Sequence, residues 1–232
     1  MNDKVISTGN VAVITGAARD IGAAAARELA RKGMKLCLFD RNRQALEQLA
    51  GELEVETLLV TGDITRDEDL QQLKDTVYSA WGKVNLLFNN AGVKIAAGAC
   101  DSPTLWRQQM EVNLLSMVAT QHIFLPEMLK MDEDGAIVKL GSKEGITTPP
   151  GFAAYNASKA AVKVLTEQLS HQLVKETGIR LTAHLLVPGY TWTDMNDPGM
   201  NERSGNKPDE AWMAAQAIDY FLPRFELGDF FL

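Results

Sequence analysis

The feature that most restricts the fold of this chain is a regular alternation of short apolar runs with longer stretches of helical periodicity. Val11-Ala12-Val13-Ile14 is wholly apolar, as expected of a strand covered on both faces of a parallel sheet. A helix over 21–32 follows, with Ala23 to Ala26 and Leu29 as its small or apolar positions and Gly33 closing it. Further strands read at 35–40, 55–60, 84–88, 135–140 and 181–187, with helices over 44–53, 67–81, 104–130, 153–176 and 209–225. Pro103 opens the helix at 104–130, and Pro126 marks a kink near its end. The segment 229–232 reads as a terminal strand, and 190–208, rich in Gly, Pro, Asn and Asp, as a substrate loop. Such alternation predicts an α/β fold, a doubly wound parallel sheet with right-handed crossovers. Ligands bind such sheets outside the carboxyl ends of the strands.

Composition narrows the options. With 232 residues and 46% hydrophobic content the chain can bury one sizeable core, so 1–232 reads as a single domain. A net charge of −7 argues against a nucleic-acid partner or an anionic membrane surface. No run approaches the ~20 apolar residues of a membrane span, and the first ten residues carry no apolar signal segment. Cys37 and Cys100 form no CxxC pair and no His/Cys cluster at metal-ligand spacing, which fits a reducing, cytoplasmic setting and no metal site. Asp132-Glu133-Asp134-Gly135 lacks the distal ligands of a calcium loop and reads as an exposed turn.

Three groups of residues at strand ends carry chemistry. Thr15 to Gly22 is a strand-turn-helix junction. There Gly16 allows the tight turn, Gly22 lets the helix pack closely, and a pyrophosphate can sit on the helix N-terminus. Asp40 ends the second strand 18 residues past Gly22, where a carboxylate accepts the ribose hydroxyls of an adenosine. These are marks of a Rossmann fold. Tyr155 and Lys159 stand at i and i+4, on one helical face. Lowering a phenol from about 10 to about 7 needs roughly 4 kcal/mol. One cation about 4 Å away supplies that order at an effective dielectric near 20.

With these residues in view, the chain resembles the short-chain dehydrogenase/reductase family over about 4–193. The resemblance rests on Thr15 to Gly22, Asn89-Asn90-Ala91-Gly92, Asn113, Ser142 standing 13 residues before Tyr155, Lys159, and Pro188-Gly189-Tyr190-Thr191-Trp192-Thr193, in the family's order. It implies hydride transfer between a nicotinamide cofactor and a secondary alcohol or ketone. Tyr155 would move the proton and Ser142 would polarise the substrate oxygen. Lys159 would lower the tyrosine's pKa and bind the nicotinamide ribose, and Asn113 would hold a water linking Lys159 to solvent. Cofactor contacts would come from Gly16, Arg19, Asp20, Ile21 and Gly22 at the phosphates, and from Asp40, Asp63 and Ile64 at the adenosine. Asn90, Ala91 and Gly92 would lie beside its ribose, with Tyr155, Lys159, Pro188, Gly189, Thr191 and Thr193 at the nicotinamide.

The chain departs from the family pattern at Asp20, which replaces the middle glycine of the turn; the expectation is that it caps the following helix. Asp40 favours NAD, whereas Arg19 and Arg41 leave NADP open. Lys94, Lys143, Ile146, Pro149, Tyr190, Trp192 and Met195 are expected near the substrate. The family's usual assembly through the helices at 104–130 and 153–176 implies a homodimer or homotetramer, and Phe230-Phe231-Leu232 suggests truncation or burial at a subunit interface. Two other functions compete. A nucleotide-sugar epimerase needs a larger substrate domain, and a cofactor-binding regulator with little or no turnover would usually have lost the tyrosine or lysine.

Overall fold

The computed structural model describes residues 2, 4–177, 180–196 and 207–232. Strands β1 (Val11–Thr15), β2 (Lys35–Asp40), β3 (Thr57–Thr61), β4 (Leu86–Asn89), β5 (Gly135–Leu140) and β6 (Leu181–Leu186) form one parallel sheet, ordered β3-β2-β1-β4-β5-β6. The expected doubly wound sheet is therefore present. Every residue of β1 and β5 is buried, because helices cover both faces of the sheet. Side chains alternate between two core layers. Ala12, Ile14, Leu36, Leu38 and Phe88 point toward α1 (Asp20–Arg31), α2 (Arg43–Ala50) and α8 (Ala214–Leu227). Val11, Val13, Cys37, Phe39 and Ile137 meet α3 (Asp67–Trp81), α5 (Ser116–Lys130) and α7 (Ala153–Thr177). Lys139 of β5 is fully buried on the second face, where its ammonium donates to Gln121 Oε1 and burial pushes its pKa down to about 7.

Strand order reverses between β1 and β4, which pair in register from Ala12 opposite Leu86 to Thr15 opposite Asn89. Their carboxyl ends open the crevice that such a switch point provides.

Several elements differ from the sequence reading. The helix expected over 104–130 is two helices, α4 (Pro103–Met110) and α5, joined by a π-helical turn at Glu111–Leu115. Pro126 lies inside α5 without ending it. A short helix α6 (Glu144–Thr147) follows β5. The segment after β6 contains β7 (Thr191–Trp192), which pairs in parallel with β8 (Trp212–Met213). The last helix starts at Ala214, not at 209. Of the expected 190–208 loop, residues 197–206 lie outside the described residues. The chain end adds to the sheet through a parallel bridge of Phe231 with Leu185, and Val187 N donates to Leu232 O at 2.8 Å. Among the described residues no helix is long and apolar enough to cross a membrane.

Candidate active site

The turn after β1 is laced to the turn after β4. Asn90 Nδ2 donates to the carbonyls of Thr15 at 3.0 Å and Gly16 at 2.8 Å, and Thr15 Oγ1 accepts from Asn90 N at 3.1 Å and Ala91 N at 3.2 Å. Gly16 has φ +64°, and a Cβ on it would stand 2.7 Å from Ala91 Cα. A Cβ on Gly22 would stand 2.2 Å from Gly16 O. Both glycines are therefore required by geometry. Gly22 acts through this packing, while Gly16, Ile21, Asn90, Ala91 and Gly92 line a cleft of about 1040 Å³.

Asp20 does not cap α1. The N-cap position is Arg19, which makes no side-chain cap bond, and Asp20 has φ +53°, a conformation cheap only for glycine and tolerated by Asp and Asn. Its Oδ1 accepts from Asp194 N at 3.1 Å, its Oδ2 lies 3.9 Å from Arg19 Nε, and Arg19 also pairs with the Asp194 carboxylate. Arg19, Asp20 and Asp194 thus clasp the segment after β6 to the glycine turn.

At the other end of the cleft stand Asp40, Asp63 and Ile64. Asp40 accepts from Ala18 N at 3.2 Å and Asn42 N at 3.0 Å, so its carboxylate is held rigidly at the end of β2. Hydrogen bonds from the backbone and hydroxyl of Thr65, with Arg41 and Arg66 nearby, hold Asp63 below the usual carboxylate range.

Tyr155 and Lys159 lie in the first turns of α7, and both are buried. Lys159 Nζ donates to Leu140 O at 2.7 Å and lies 5.8 Å from the Tyr155 ring centroid. Burial pushes Lys159 down to about 8. Burial also pushes Tyr155 up to about 12, against the pull of a hydrogen bond with Ser142; Glu144 adds to the rise. Among the protein's own groups, desolvation prevails on the phenol. Ser142 Oγ accepts from Glu144 N at 3.2 Å, in the turn that leads into α6. Asn113 lies fully buried in the π-helical turn; it accepts from Val93 N at 2.8 Å and donates to Val93 O at 2.9 Å and Ser158 Oγ at 3.2 Å. A Cβ on Gly92 would touch both Asn113 Oδ1 at 3.4 Å and Lys159 Nζ at 3.8 Å, so both groups lie beside Gly92. Pro188, Gly189, Thr191 and Thr193 complete the wall, with Asn196 Nδ2 donating to Thr191 O at 2.8 Å.

A family model described as short chain dehydrogenase matches residues 10–204. The chain belongs to the short-chain dehydrogenase family. It is similar to a short chain dehydrogenase/reductase from Burkholderia phymatum solved in complex with NAD, with TM-score 0.86 and 32% identity over 97% of this chain and 88% of that one. It is 31% identical to a "CLA biosynthesis dehydrogenase/reductase" of Lactiplantibacillus plantarum, over 80% of this chain and 66% of the relative. An uncharacterized oxidoreductase of Staphylococcus epidermidis is 30% identical over 91% of this chain and 90% of its own length.

Of the residues expected near substrate in this short-chain dehydrogenase, Met195 lines the cleft. Trp192, by contrast, is 2% exposed and belongs to the core, because β7 pairing turns its side chain inward. Ile146 and Lys143 are exposed. Sequence reasoning missed two residues. Gly145 carries no Cβ because one would stand 2.7 Å from Lys159 C and 2.8 Å from Ala160 N; this lets α6 bear directly on α7. Glu144 pairs with Lys94 at 2.7 Å, a contact across 50 positions that no local pattern signals.

Proposed function

We propose that this chain is an NAD-dependent dehydrogenase/reductase of secondary alcohols or ketones, with Tyr155 as the acid/base. The observation that carries the reading is the meeting of Tyr155, Lys159 and the glycine turn along one cleft. The residues fit a dinucleotide. Gly16 and Gly92 line the cleft with bare backbone, and Asp40 offers a fixed carboxylate to the 2′-hydroxyl and repels a 2′-phosphate. Bound NAD supplies the hydride acceptor and a positive charge in a site where Tyr155 alone is too weak an acid. Ser142 holds the substrate oxygen, and Tyr155 takes the alcohol proton in oxidation or returns it in reduction. Lys159 binds the ribose beside the phenol. Asn113 Oδ1 accepts from Val93 N and keeps a second lone pair, enough to hold a water that links Lys159 to solvent.

The relatives named oxidoreductase and the NAD-bound structural neighbour support this reading. Exposed Leu115 and Val118 at α5, with Val164 and Val174 on α7, support self-association into a dimer or tetramer; sedimentation that finds only monomer overturns that part. Free Cys37 and Cys100 suit a cytoplasmic setting. The test is oxidation of a panel of secondary alcohols with NAD and NADP at equal concentrations. Turnover at least tenfold faster with NAD is expected; NADH binding with no turnover of any alcohol or ketone would make the chain a cofactor-binding regulator instead.

A further inference from the structure

Beside the Tyr155 ring lies an ion pair that hydride transfer does not call for. Lys94 Nζ lies 2.7 Å from Glu144 Oε1, 4.4 Å from the Phe152 ring centroid and 5.3 Å from that of Tyr155. The Lys94 ammonium therefore stands as near the proposed catalytic ring as that of Lys159 does. The two side chains are only 13% and 21% exposed. Holding opposite charges this far from water gives little net stability, because desolvation offsets their attraction. The second carboxylate oxygen, Glu144 Oε2, is closed to solvent and has no hydrogen-bond partner among the described residues. A buried acceptor left unpaired is costly, and a ligand that carries a matching donor is favoured by it.

The pair is placed by the same turn that places Ser142. Glu144 N donates to Ser142 Oγ, and Lys94 follows Val93, whose backbone is pinned on both sides by Asn113. Resting on the hydride-transfer reading above, we propose that Lys94 and Glu144 select a neutral substrate bearing a second O–H or N–H donor near its reacting carbon. That donor serves Glu144, and Lys94 supplies a donor to the same group or its neighbour. A carboxylate at this position is disfavoured, since Glu144 already occupies Lys94 and repels a second anion.

The test compares kcat/KM for matched compounds: a vicinal diol, the N-acetylated amino alcohol of the same skeleton, the alkanol lacking the second group, and the corresponding 2-hydroxy acid. Preference of at least tenfold for the diol or the N-acetyl amino alcohol over the alkanol is expected. In Glu144→Gln or Glu144→Ala the preference falls toward unity while NADH affinity is unchanged. Diol against N-acetyl amino alcohol decides which donor is bound. An equal rate for diol and alkanol, a preference that survives Glu144→Ala, or a hydroxy acid as the best substrate each overturns the selection proposal while leaving hydride transfer standing. NADH binding without turnover of any compound overturns the reading beneath it as well.

Discussion

Replacing Gly145 with alanine puts a methyl carbon where the backbone of α7 already lies. The new Cβ stands 2.7 Å from Lys159 C, 2.8 Å from Ala160 N and 3.0 Å from Lys159 Cβ. Ordinary carbon contacts begin near ~3.5 Å, so α6 and α7 must part by roughly 0.7 Å. Neither side moves freely. Gly145 N donates to Ser142 O at 3.1 Å, and Lys159 Nζ donates to Leu140 O at 2.7 Å. If α7 yields, that bond reaches the edge of useful geometry; if α6 yields, the turn that holds Ser142 shifts with it. Overpacking of this size costs about 1–3 kcal/mol of stability. Displacing a reacting group by about 1 Å costs on the order of 100-fold in rate, so kcat should fall 10- to 100-fold. The assay is steady-state turnover of the fastest panel substrate with thermal melting alongside. Gly51→Ala serves as control, its Cβ meeting nothing closer than 3.4 Å. A Gly145→Ala protein that melts lower yet keeps kcat within twofold of the parent refutes the reasoning.

Other outcomes follow from the same structure. Asp20→Gly relieves a positive φ and removes a carboxylate from the glycine turn after β1. One unit charge at about 7 Å is worth roughly 0.6 kcal/mol in water and ~2.4 kcal/mol at a dielectric of 20, and Arg19 offsets part of it. NADH should bind about 3- to 10-fold tighter by fluorescence titration, and weaker binding would mean that the tie to Asp194 matters more. Glu144→Gln removes a charge that raises the Tyr155 pKa and leaves Lys94 unopposed, so the acidic limb of kcat/KM for alcohol oxidation should move to lower pH; an upward move contradicts the assignment. Lys139 loses its proton at about 7 when folded against 10.5 for its ordinary value. The unfolded chain then binds more protons between these values, so stability rises with pH by at most about 1.4 kcal/mol per unit per group. Lys159, lowered to about 8, adds to the same slope. Chemical denaturation from pH 7 to 9 should show a smaller rise in Lys139→Met; an unchanged slope excludes Lys139 as its source.

Much of the architecture was legible because the sheet is covered on both faces. Val11 to Ile14 and Ala136 to Val138 read as strands from apolar content alone, and Gly16, Asn90, Tyr155 and Lys159 stood at strand or helix ends that the alternation had already placed. What escaped was non-local or purely a matter of backbone. Glu111–Leu115 carries no helix breaker, so nothing in its side chains announces a π-helical turn at Asn113. Asp20 reads as a helix cap from its residue type, and its left-handed backbone, with φ +53°, is a matter of geometry that the sequence does not carry. β7 and β8 are two residues each and pair across residues 193–211, too short for any periodicity. Lys94 was placed near the cleft without its partner, since the pairing of Glu144 with it depends on Gly145 allowing α6 to settle onto α7.

Proton transfer by Tyr155, as proposed, is checked by following nicotinamide absorbance for the chain and for Tyr155→Phe, with NADH affinity measured in parallel. Tyr155→Phe should lose at least 100-fold in kcat while binding NADH within about threefold of the parent. A Tyr155→Phe protein that turns over at the parental rate would remove Tyr155 from the proton transfer.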